Sequence, residues 1–198
     1  ADLLVNRGNL TRMRNQHASA LALVRKAQVV RPHDPEIDVA VALQLLTVGD
    51  YEQGLELYEQ RWSRRTALSE LESYGVAPWD GEVGSVERLL LVIEQGAGDA
   101  IQFVRYADDL SRAGIEVIVY CTDPLLRLLG SAKGVTRAIT RMRADMVDAA
   151  EMIMSLPCRL GAHRHAAQTA ERYLEPPSHP YRIPRAPGRP RVGVCWAG

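Results

Sequence analysis

With 198 residues, 46% of them hydrophobic and 24% charged, the chain has the makeup of one large or two small globular domains and not of a disordered segment. Its 24 basic and 24 acidic residues cancel, so the basic excess of a nucleic-acid binder is missing and no nucleic-acid partner is expected. No apolar stretch reaches the ~18 residues of a membrane span, and residues 1–9 lack the basic start and apolar core of a signal peptide.

The local basic cluster Arg137, Arg141 and Arg143 suits a solvated strand end and loop. Cys121, Cys158 and Cys195 are far apart and odd in number, which argues against a disulfide framework, and Cys121 and Cys195, each ending an apolar run, read as buried thiols. A cytoplasmic location is the expectation.

Residues 1–62 repeat with a period of 34. Under that shift Gly8 falls on Ala42, Ala20 on Gly54, Leu21 on Leu55, Leu23 on Leu57 and Val24 on Tyr58. The turn Asn15-Gln16-His17 falls on Gly49-Asp50-Tyr51. Pro32 closes the first unit. Asp34 then Pro35 opens the second, as a helix cap followed by a proline whose missing N–H costs nothing in the first turn. Asp50 with Gln53 reads as a capping box. Gly8, Ala20 and Ala27 are small where antiparallel helices must press together, and Leu23, Val24, Leu45, Leu55 and Tyr58 are expected to fill the groove between helix pairs. Arg61 breaks the pattern, standing where the first unit has Ala27. The unit is therefore read as the last before a different domain. The helices either buttress their neighbour or form a groove for a protein or peptide partner.

Residues 63–87 are irregular and turn-rich, with Gly75, Pro78-Trp79-Asp80-Gly81 and Gly84. They read as a linker in which Trp62 and Trp79 anchor the domains. The continuous apolar run 88–94 then suits a strand buried on both faces, as in a parallel sheet. After Gln95-Gly96-Ala97-Gly98-Asp99, the residues Ile101, Val104, Ala107 and Leu110 recur at helical spacing until Gly114. A second strand is expected over 115–121, then a helix capped at Asp123-Pro124 and running to Leu129. Short strands are expected over 137–140 and 151–156, with a helical stretch around 162–173. This alternation implies an open, mainly parallel α/β domain over 88–175. Six prolines between 176 and 190 mark an extended linker. Residues 191–198 read as the opening strand of a further domain, so the chain is expected to be a fragment.

The loop bearing Gly96 and Gly98 joins a buried strand to a helix start, where free N–H groups favour anions and glycine lets a ligand approach. Three readings of it stand side by side: a helix cap at Asp99, a substrate site, or a dinucleotide fingerprint. Ile101 in place of a third glycine counts against the last, although Asp123 after the second strand is placed to meet a ribose. His163 and His165 lack the spacing of a metal site and read as exposed loop residues, so no metal is expected.

Four blocks occur in order: residues 51–62, Pro78-Trp79-Asp80-Gly81, residues 94–106 (EQGAGDAIQFVRY), and residues 192–198 (VGVCWAG). Together they resemble bacterial tetratricopeptide-repeat proteins with a glycosyltransferase-like C-terminal region, similar to the heptosyltransferase and O-linked N-acetylglucosamine transferase groups. The resemblance implies a GT-B architecture: two Rossmann-like domains across a cleft, the first receiving a sugar acceptor and the second a nucleotide-sugar donor. It implies no tightly bound cofactor. It also implies that Asp99 is the general base, with Gly96, Gly98, Gln102, Arg105 and Tyr106 lining the acceptor side; a surface or linker-pairing role suits Arg105 equally. The alternatives are a non-catalytic repeat scaffold with a degenerate α/β domain, and a nicotinamide-dependent enzyme.

Overall fold

The computed structural model describes residues 1–63, 73, 75–161, 172–175 and 188. Four helices come first: α1 (Asp2–Met13), α2 (His17–Val30), α3 (Pro35–Val48) and α4 (Tyr51–Tyr58). A 3-10 segment, Glu59–Ser63, continues α4. The caps act as read. Asp34 accepts from the N–H groups of Glu36 and Ile37 at 3.0 and 3.4 Å, and Asp50 from that of Gln53 at 3.3 Å. The side chain of Gln53 turns instead to Arg25. Gly49 ends α3 in the left-handed region at φ 88°.

Each helix packs on the next in antiparallel hairpins. Asp2 at the start of α1 pairs with Arg31 just past the end of α2. The small residues lie where the backbones converge. A Cβ on Gly8 would come within 2.8 Å of Val24, and one on Gly54 within 2.9 Å of Leu46. Ala20 and Ala27 are fully buried. Val24, Ala27, Ile37, Ala40, Val41 and Leu45 make the helical core.

The second part is a parallel five-stranded sheet: β1 (Ala77–Pro78), β2 (Arg88–Val92), β3 (Glu116–Tyr120), β4 (Val135–Ile139) and β5 (Ala149–Met152). The order is β1-β5-β2-β3-β4. The crossovers carry α5 (Ala97–Phe103), α6 (Ala107–Arg112) and α7 (Asp123–Leu129), and α8 (Leu156–Arg159) follows β5. Mixed helix and parallel sheet is what the strand and helix alternation demanded. Leu89, Leu91, Val117 and Val119 face one core with Ala100, Val104 and Leu110, whereas Leu90, Val92 and Ile118 face the other with Val76 and Met152.

Several expectations need adjusting. The helix after Asp99 is α5 and α6 joined by a 3-10 turn, Val104–Tyr106. The cap of α7 is Thr122, with Asp123 inside the first turn. The strand expected over 137–140 begins at Val135, and that expected over 151–156 is shifted back to Ala149–Met152. After Met152 the chain turns through Ile153–Ser155 into α8. The segment read as linker contributes β1, paired with β5. Trp79 is 2% exposed within the main core, and Asp80 closes the turn after it by accepting from the Glu82 N–H and the Ser85 hydroxyl. Most of the helical stretch around 162–173, the further strand at 191–198, and all but Gly188 of the proline-rich 176–190 lie outside the described residues.

Candidate functional site

From β2 the chain steps outward through β3 to β4, then returns to place β5 on the other side of β2. This is a topological switch point, and crevices beyond the C-terminal strand ends at such points are where open α/β sheets take ligands. Two stretches meet there: residues 93–96 after β2, and Ile153–Ser155 after β5.

Gly96 is the N-cap of α5 with an extended backbone, φ −102° and ψ 164°. Asp99, at the third helical position, accepts from the Gly96 N–H at 3.1 Å through Oδ2. The two residues are thus brought together as one arm of a capping box. The glycines themselves meet almost nothing. A Cβ on Gly98 would have no neighbour within 4 Å, and one on Gly96 only the Asp99 carboxylate at 3.4 Å. Neither has a positive φ. Among the described residues none covers the main chain at these two glycines.

The other candidates point elsewhere. Gln102 is exposed, and its carbonyl accepts from Arg105 Nε at 2.6 Å. The Arg105 guanidinium lies 4.7 Å over the Tyr173 ring and donates to its hydroxyl at 3.3 Å. Tyr173 in turn donates to the Ile101 carbonyl at 3.0 Å. Arg105 therefore ties down the 172–175 segment. Tyr106 is half-buried and stacked on Phe103, and burial raises its phenol. Among the described residues none of these three hydrogen-bonds Asp99.

Instead the crevice is occupied by Arg61, from the helical part. Its side chain is 9% exposed. Nε and one terminal nitrogen donate to the two oxygens of Glu94 at 3.1 and 2.8 Å, and that same terminal nitrogen reaches Ser155 Oγ at 2.6 Å. The other terminal nitrogen donates to Glu59 at 2.6 Å and to the Tyr58 carbonyl at 3.3 Å. The guanidinium lies over the Tyr58 and Trp62 rings, and Trp62 Nε1 also donates to Ser155 Oγ at 3.0 Å. Burial opposes the charge on Arg61, but the bonds to Glu94 and the proximity of Glu59 outweigh it and raise its pKa. The one signal for this was the arginine at a small-residue position.

Tyr58 was expected to fill the groove between helix pairs, but its hydroxyl faces the glycine loop. It accepts from Gln95 Nε2 at 2.6 Å. Burial raises the phenol; Arg61 and Gln95 pull it down, and Glu94 and Asp99 push it up, with a net rise. Gln95 itself has φ 60°, the left-handed region that side chains other than glycine seldom occupy.

A second buried charge, Glu151 of β5, is 2% exposed. Burial raises its carboxyl to about 7, against the lowering pull of Arg159 at 2.7 Å and of the Met152 N–H. Among the described residues no cluster of three or more His, Cys, Asp or Glu is placed to hold a metal ion, and no helix is long and apolar enough to cross a membrane. His163 and His165 lie outside the described residues.

The chain matches no family model, no curated protein and no solved structure.

Proposed function

We propose that this chain carries the acceptor-side α/β unit of a glycosyltransferase-like protein, preceded by tetratricopeptide-type hairpins. Asp99 would then take a proton from an acceptor hydroxyl as that oxygen attacks the anomeric carbon of a nucleotide-sugar donor and the nucleotide leaves. The ordered blocks around Trp62, Trp79 and Asp99 support the reading. The single observation that carries it is the glycine loop at the switch point, left uncovered by the described residues, with a carboxylate on its first helical turn. Asp99 uses one oxygen for its cap, and among the described residues its other oxygen accepts no hydrogen bond.

The experiment is Asp99→Asn in the intact protein, assayed for transfer from a panel of nucleotide sugars. Asparagine keeps an acceptor for the Gly96 N–H and removes only the base. Transfer should fall by ~10²–10⁴ with the melting temperature unchanged. A folded variant that transfers at the parent rate would sink the proposal and leave Asp99 a cap alone.

A second reading, a binding scaffold without catalysis, is favoured by Arg61, which fills the crevice from within and is already paired. It predicts no transfer by the parent protein with any nucleotide sugar, together with capture of a peptide or protein by the hairpins.

A further inference from the structure

We infer that the helical part is a clamp on the glycine loop, in which Arg61 and Tyr58 are positioning residues that hold Glu94 and Gln95, so that displacement of α4 changes the loop. The inference does not rest on the sugar-transfer reading. It rests on geometry at the joint.

Glu94 and Gln95 are the two residues immediately before Gly96. Among the described residues the side-chain bonds of each go to the helical part. Glu94 is gripped at both oxygens by Arg61, which is itself anchored on Ser155 beyond β5. Gln95 is held at its amide by the Tyr58 hydroxyl. Gln95 itself is twisted to φ 60°, a conformation that persists only where surroundings over-determine it. The next residue donates its N–H to Asp99. A chain of bonds therefore runs from α4 through Tyr58 and Gln95 to the cap of α5. Tyr58 and Arg61 sit three residues apart, at the end of α4 and in the turn that continues it, so both move with α4. Arg61 also stacks on Tyr58, which couples the two grips to each other.

If α4 shifts, both grips weaken at once, and Gln95 is free to leave the left-handed region. Coupling of this kind is reciprocal: whatever binds the loop in its held form also favours the docked position of α4.

The test is amide hydrogen exchange in the intact protein, read by mass spectrometry on peptides covering residues 94–100 and, as internal reference, 116–120 of β3. Tyr58→Phe removes the hydroxyl and keeps the ring beneath Arg61. Arg61→Lys keeps the charge but cannot grip Glu94 and Ser155 together. In each variant the 94–100 peptide should exchange about three- to tenfold faster, the size of one net hydrogen bond, with the β3 peptide unchanged. Unchanged exchange over 94–100 in both variants overturns the inference. So does an equal rise in both peptides, which marks general loss of stability and not release of a clamp.

Discussion

Arg61 and Glu94 are 33 residues apart in sequence and joined by two hydrogen bonds of 3.1 and 2.8 Å, with side chains only 9% and 11% exposed. A buried pair of this kind is poor evidence of net stabilisation, since both charges lost their water. Breaking it from one side is another matter.

Arg61→Met should leave Glu94 buried without its partner and cost about 3–5 kcal/mol. Adding Glu94→Leu should recover much of that loss. Urea unfolding of the single and double variants measures both, and a double variant no more stable than Arg61→Met would contradict this account of the pair.

Glu151 makes stability depend on pH in an uncommon sense. Its carboxyl is raised from 4.5 to about 7 by burial, so between those values the folded state binds more protons than the unfolded one. Its contribution is full below about 4.5 and is lost as pH rises toward 7, by up to about 3 kcal/mol. Glu151→Gln should be the more stable protein at pH 8 and lose less between pH 5 and 8. Parallel pH profiles for parent and variant would exclude Glu151 as the source.

Gly8 and Gly98 should respond to alanine with opposite signs. At Gly8 the new Cβ would sit 2.8 Å from Val24 and 3.3 Å from the Ala20 carbonyl. Val24 is fully buried and β-branched, so it yields little. Overpacking should outweigh the gain in helix propensity and cost a net of about 1 kcal/mol. At Gly98 the Cβ meets no described residue within 4 Å in the first turn of α5, so alanine should stabilise by about 0.5–1 kcal/mol. Thermal melts decide the signs. If a ligand approaches the loop backbone, Gly98→Ala will weaken its binding while raising the melting temperature.

Ala20→Leu forces a larger side chain into a site with no exposed surface, against the close approach of Gly8. It should destabilise by about 1–3 kcal/mol. An unchanged melting temperature would mean that the α1–α2 contact is looser than its geometry indicates.

The parts of this molecule legible in its sequence are those fixed by near neighbours. Asp34 and Asp50 announce helix starts because their partners are two or three residues away. Residues 88–92 announce a buried strand because four consecutive apolar side chains have no wet face. Asp99 was legible as a cap for the same local reason. What escaped was decided by distant residues. β5 was misplaced because Glu151 interrupts its apolar run, while Ile153, Met154 and Leu156 continue the hydrophobicity past the strand's real end. Two residues, Ala77 and Pro78, are too few to show a pattern, and only β5 makes them a strand. Tyr58 read as a groove filler because its partner, Gln95, stands 37 residues on, and Arg61 read only as an exception until Glu94 and Ser155 stood beside it.

The two-residue β1 has a consequence for how copies of this chain meet. An exposed sheet edge is a template for another chain's strand, and short strands, prolines, charges and bulges blunt it. On one side the sheet closes with Pro78, which has no N–H to offer. On the other, β4 carries an exposed Arg137 and a register shift against β3. Among the described residues neither border presents a long, regular row of unpaired backbone groups. Edge-to-edge pairing of copies is thereby disfavoured along both described margins.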